Sequence, residues 1–169
     1  MASKAGFPGA FFFGLARALG VLGGLLAYGG EFLLEFGDLA ECIDDKVTRL
    51  DPDPEWLYAA AMDPSGLRRD SWAMTVLGRR GDEVRQFVSR AWRPGTPVPV
   101  VVDELRSELE RFGLREIASD QYGSEVTKAH FAAAGVSVSE LPFTAAQSSP
   151  KSLGFRALKE LVTARRIRL

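Results

Sequence analysis

The chain has 169 residues, 46% hydrophobic and 25% charged, with a formal net charge of −1. This is enough for one domain with a real core plus an appendage, and the composition is that of a globular protein. The near-zero charge excludes a global pull toward nucleic acid, so any such contact has to come from local basic clusters. The single Cys42 excludes an intrachain disulfide and fits a reducing compartment. One cysteine and one histidine (His130) also exclude a zinc site of the usual ligand count, so a metal would have to be hard and oxygen-bound.

In chain order, residues 7–36 are rich in Gly, Ala, Leu and Phe. The stretch from Phe11 to Tyr28 is interrupted only by Arg17. Eight glycines from Gly6 to Gly30, together with Arg17, favour a packed or poorly ordered helical segment over a membrane span. An acidic stretch follows, with Glu35, Asp38, Glu41, Asp44 and Asp45, and then Asp51-Pro-Asp-Pro54. The alternating prolines stop any helix, which sets a boundary between an N-terminal segment and linker, 1–54, and a folded domain, 55–169.

Beyond that boundary the pattern becomes regular. Strands are predicted at Trp56–Met62 and Ser71–Gly78, followed by a hairpin turn at Arg79-Arg-Gly-Asp82. Glu83–Trp92 has apolar residues Val84, Phe87, Val88, Ala91 and Trp92, which fit a helical period. Its place after a tight turn nevertheless predicts a third strand. Val98–Phe112 is predicted as a helix, with Val102, Leu105, Leu109 and Phe112 on one face and Gly113 as its cap. Then come a strand at Arg115–Asp120, a helix at Ser124–Ala134 and a strand at Val136–Leu141. A helix at Ser149–Ala164 and the start of a strand at Ile167–Leu169 complete the order. A meander followed by alternating units predicts an α/β fold with a mixed sheet and helices on both faces. Short right-handed crossovers make the first and fourth strands neighbours.

Two of these strands end on a carboxylate: Trp56-Leu-Tyr-Ala-Ala-Ala-Met-Asp63 and Arg115-Glu-Ile-Ala-Ser-Asp120. Each then enters a glycine-containing turn. Carboxylates at adjacent strand ends can hold a divalent metal against a phosphodiester. Alone, Asp63 reads as a turn aspartate before proline and Asp120 as a helix cap. Asp70, across the turn from Asp63, is a candidate third ligand or water-orienting group, and a plain turn role fits it equally well. Arg68, Arg69 and Lys151 are candidate phosphate contacts, and Arg165, Arg166 and Arg168 extend that basic group. For any one of these cations, ordinary solvated charge is the better reading. Trp72 and Trp92 are assigned to the core, His130 to the surface, and Cys42 has no nucleophilic role.

The ordered set of motifs resembles the RNase H-like fold. More closely, it resembles the C-terminal nuclease domain of the large terminase subunits of tailed phages and prophages. The matching pieces are Met62-Asp-Pro-Ser-Gly66 with Arg69-Asp-Ser71, Arg93-Pro94, and Ile117-Ala-Ser-Asp-Gln-Tyr-Gly123. Ala134-Gly-Val136, Leu141-Pro-Phe-Thr144, Lys151-Ser152, Leu158-Lys-Glu-Leu-Val162 and Arg166-Ile-Arg-Leu169 follow. The resemblance implies metal-dependent hydrolysis of double-stranded DNA with Mg²⁺ or Mn²⁺, during DNA packaging in the host cytoplasm. The portal and the small terminase subunit are the implied protein partners. It also implies that Asp63 and Asp120 are two of the metal-binding acids. The family's third acid, from a later helix, and its ATPase half with G-x-x-x-x-G-K-[ST] have no counterpart in these 169 residues. The chain by itself is therefore expected to cut DNA weakly or not at all. Three alternatives stay open: another RNase H-like nuclease of resolvase or transposase type, an inactive remnant that only binds DNA or a packaging partner, and a membrane-tethered protein.

Overall fold

The computed structural model describes residues 40–43, 49–64, 71–120, 125–141 and 150–169, the side chains of 120, 125–127, 141 and 150–155 excepted. The apolar stretch 7–36, the turn carrying Arg68, Arg69 and Asp70, and residues 121–124 and 142–149 lie outside the described residues.

Leu57–Asp63 forms β1, Trp72–Arg80 β2 and Glu83–Trp92 β3. Val98–Arg111 forms α1, Glu116–Asp120 β4, Glu125–Ala133 α2 and Ser137–Leu141 β5. Pro150–Thr163 forms α3 and Ile167–Arg168 β6. Each element lies within two residues of its predicted place. The described strands form one sheet in the order β5-β4-β1-β2-β3-β6. The β1–β2 and β2–β3 pairs are antiparallel, while β1–β4, β4–β5 and β3–β6 are parallel.

The two faces of the sheet carry different residues. Strand alternation sends Ala60 and Met62 to one side and Ala59, Ala61 and Asp63 to the other. On the first side Met62, Trp72, Met74, Val76, Val88 and Ile117 pack with Val101, Val102, Leu105 and Leu109 of α1 and with Phe131 of α2. On the second side the small residues Ala59, Ala61 and Ala118 share a cluster with Leu158, Leu161 and Val162 of α3, joined by Cys42, Val84 and Ile167. The helices thus lie on both faces. Trp72 and Trp92 are core residues as expected, but His130 is half-buried on α2 rather than a plain surface residue. Among the described residues no helix is long and apolar enough to cross a membrane.

The β2–β3 hairpin turns at Gly81, whose φ of 59° lies in the left-handed region that glycine enters without a steric penalty. Farther along, Val76 pairs with Val88 and Leu77 with Gln86, which leaves Phe87 as the extra residue of a β-bulge. The bulge lets Phe87 and the adjacent Val88 enter the same core. The freed Phe87 carbonyl accepts the Leu50 amide at 2.9 Å, tying the incoming chain to the sheet. Trp56, Tyr58 and Phe112 meet the Phe87 ring edge-on, at centroid distances of 5.3, 4.9 and 6.0 Å.

This cluster leaves no room at Gly78, where an added Cβ would come within 2.5 Å of Phe87 Cε2 and 3.0 Å of Trp56 Cε3. Gly78→Ala is expected to cost about 1–3 kcal/mol, because the ring must leave a packed position. A shift in the urea midpoint checks it, and an unchanged midpoint would show that the aromatic cluster yields freely.

α1 begins at two closely spaced prolines and ends in a Schellman motif. The Leu114 amide donates to the Leu109 carbonyl at 2.9 Å and the Gly113 amide to the Glu110 carbonyl at 3.0 Å. Gly113 takes a φ of 66°, as a helix cap requires. The helix also carries Glu108, which is buried and was not singled out from the sequence. Its carboxylate accepts from Arg49 at 2.8 Å and Arg111 at 2.7 Å, with Arg90 at 3.7 Å. Those charged partners make burial tolerable and clamp the segment before β1 onto α1 and β3.

Candidate functional site

The central register is parallel and pairs Ala61 of β1 with Ala118 of β4. Two residues further along each strand stand Asp63 and Asp120, each the last residue of its strand. Their backbones are therefore level on neighbouring strands, about 4.8 Å apart in an ordinary sheet. The sequence supplies this arrangement in two steps. Apolar runs make both strands interior, and each strand ends at its aspartate.

Asp63 is half-buried and followed by the buried Pro64. Across β2 it pairs with Ala73, which in turn pairs with Ala91 of β3. The row beside the carboxylate thus consists of small side chains, partly or fully exposed. On the other side Asp120 is level with Leu141 of β5.

Two hard oxygen donors on adjacent strand ends match the donor chemistry of a divalent cation. Among the described residues no group of three or more His, Cys, Asp or Glu side chains is placed to hold a metal. Asp70 lies outside the described residues. So do Arg68 and Arg69. Lys151 is in the first turn of α3, and its side chain is not among those described.

The structure corrects one expectation. Arg165, Arg166 and Arg168 do not lie near the carboxylates. β6 pairs with the start of β3, with Val84 opposite Ile167, and Val84 is opposite Arg79, which is opposite Leu57. Leu57 is six residues before Asp63 on β1, which places these arginines at the far end of the sheet, about 20 Å away. Arg165 pairs there with Glu41 at 2.8 Å, and Arg168 donates to the Glu41 carbonyl at 3.3 Å. A cation not assigned from the sequence does lie at the carboxylate end. Arg93 is exposed and directly follows Trp92, the partner of Trp72. Its signal was the Arg-Pro pair at a strand end.

No family model matches the chain, and no curated protein matches it in sequence. Solved structures do match. The large terminase nuclease from thermophilic phage G20c superposes with a TM-score of 0.61 at 18% identity, over 79% of this chain and 72% of that one. The same nuclease has been solved with magnesium, cobalt and zinc bound. The nuclease domain of the P22 large terminase gives 0.56 at 16% identity, over 76% of this chain and 67% of that one. The HK97 bacteriophage large terminase gives 0.59 at 16% identity, covering 80% of this chain and a third (33%) of that longer protein. The six-stranded mixed sheet with helices on both faces is the RNase H-like fold of the phage large terminase nuclease domains.

Proposed function

We propose that the chain is the nuclease part of a DNA-packaging terminase large subunit, acting on DNA phosphodiesters with Mg²⁺ or Mn²⁺ in the host cytoplasm. The observation that carries this reading is the level placement of Asp63 and Asp120 at the ends of two neighbouring parallel strands. The metal-bound forms of the G20c nuclease support it. When bound, a divalent cation supplies Lewis-acid stabilisation of the phosphodiester and makes water more acidic. Asp63 and Asp120 hold and orient it, with Asp70 as a further donor. Arg68, Arg69, Lys151 and Arg93 bind flanking phosphates without reading sequence. In this reading residues 55–169 form the nuclease domain and 1–54 the segment and linker before it.

The pair is expected to bind metal weakly, since two carboxylates leave most coordination positions to water. Titration calorimetry with Mn²⁺ is expected to show weak binding to the wild type and none to the double variant Asp63→Asn with Asp120→Asn. Equal affinity in the two proteins would remove the pair from the metal site.

A further inference from the structure

A groove of about 780 Å³ lies between α3, the β2–β3 turn and the residues leading into β6. Its cations come from separate elements: Arg79 from β2, Arg156 and Lys159 from α3, and Arg166 from just before β6. The acids beside them are Asp82 and Glu160. Arg79 Nε donates to the Gly81 carbonyl at 2.7 Å, and Arg166 stands 3.7 Å from Asp82, so two guanidinium groups are held in place while charge stays exposed. Arg156 and Lys159 are both exposed, one helical turn apart on α3.

We propose that this groove is a second phosphate contact for duplex DNA, remote from the carboxylates; the proposal rests on the nuclease reading given above. α3 covers the same side of the sheet that Asp63 occupies by strand alternation, so groove and carboxylate share one side of the molecule. The groove is at the level of Arg79 and Leu57, six residues along β1 from Asp63. That separation of about 20 Å equals about six base pairs of duplex, so one continuous duplex spans both places within a single helical turn. Among the described residues that line the groove, four cations stand with two acids, a set suited to phosphates. The described lining holds no Asn or Gln, so the contact is taken to add affinity and register through phosphates rather than sequence preference.

The test is fluorescence anisotropy of the full chain with a labelled duplex of about two helical turns, in EDTA so that metal binding plays no part. Arg156→Gln with Lys159→Gln is expected to bind at least about tenfold more weakly at low salt, and to lower the slope of log K against log salt by about two. Both side chains are exposed, and an unchanged melting curve establishes that the variant is folded. Equal affinity and slope in the two proteins overturn the proposal, as does an absence of duplex binding by the wild type. So does polyglutamate that displaces the duplex from the wild type at a lower charge concentration than competing DNA, since the groove would then suit an acidic protein segment. Metal binding that depends on Asp63, measured separately by calorimetry, shows whether the nuclease reading survives a negative result.

Discussion

Asp63→Asn is expected to lower Mn²⁺-dependent nicking of supercoiled plasmid by at least about a hundredfold, a loss of several kcal/mol of transition-state charge stabilisation. Asp63 is half-buried at its strand end, level with Asp120 and beside Ala73 and Ala91. The amide keeps the shape and removes the charge, so the metal would lose one of its assigned carboxylates while the sheet is undisturbed. Asp120→Asn should match Asp63→Asn. Asp70→Asn should have a smaller effect if Asp70 only orients water, and an equal one if it is a ligand. Robust cutting that survives Asp63→Asn contradicts the assignment of that residue.

The second large effect concerns stability. Phe131 of α2 is fully buried and stacks on Trp72 of β2, with centroids 6.2 Å apart and planes 11° from parallel. Phe131→Ala is expected to cost about 3–5 kcal/mol, from lost burial and the cavity left behind. α2 is the helix that follows β4, so loosening it also frees the strand end that carries Asp120. Urea denaturation measures the loss, and Phe131→Leu, which refills most of the space, should recover much of it. A cost below about 1 kcal/mol would mean that α2 is not held by this contact.

Most of the fold was legible because each element carries its own local signal. The hairpin is fixed by Gly81, α1 by prolines at its start and Gly113 at its end, and the interior strands by continuous apolar runs. β3 shows where the reading became difficult. Phe87 and Val88 point into one core because Phe87 is bulged, whereas Val84 joins the other core. That breaks strand alternation and imitates a helical period, and only the preceding turn argued for a strand. Glu108 was missed because a single glutamate on a helix reads as solvated. Its burial depends on Arg49, Arg90 and Arg111, which converge only in the fold.

For the site, the sequence marked the two aspartates, and the neighbouring of their strands followed from connection rules. Placing the C-terminal arginines failed for a topological reason. Sequence order puts them after α3, but it does not say which end of the sheet β6 enters. The parallel pairing of Ile167 with Val84 decides it and sends them away from the carboxylates.

Crystals of the chain soaked in Mn²⁺ offer the most direct test of the paired-aspartate site, through the anomalous signal of the ion. A peak is expected between the ends of β1 and β4, about 2.1 Å from carboxylate oxygens of both Asp63 and Asp120. A peak bound elsewhere, or none at Asp63 at saturating Mn²⁺, would contradict it.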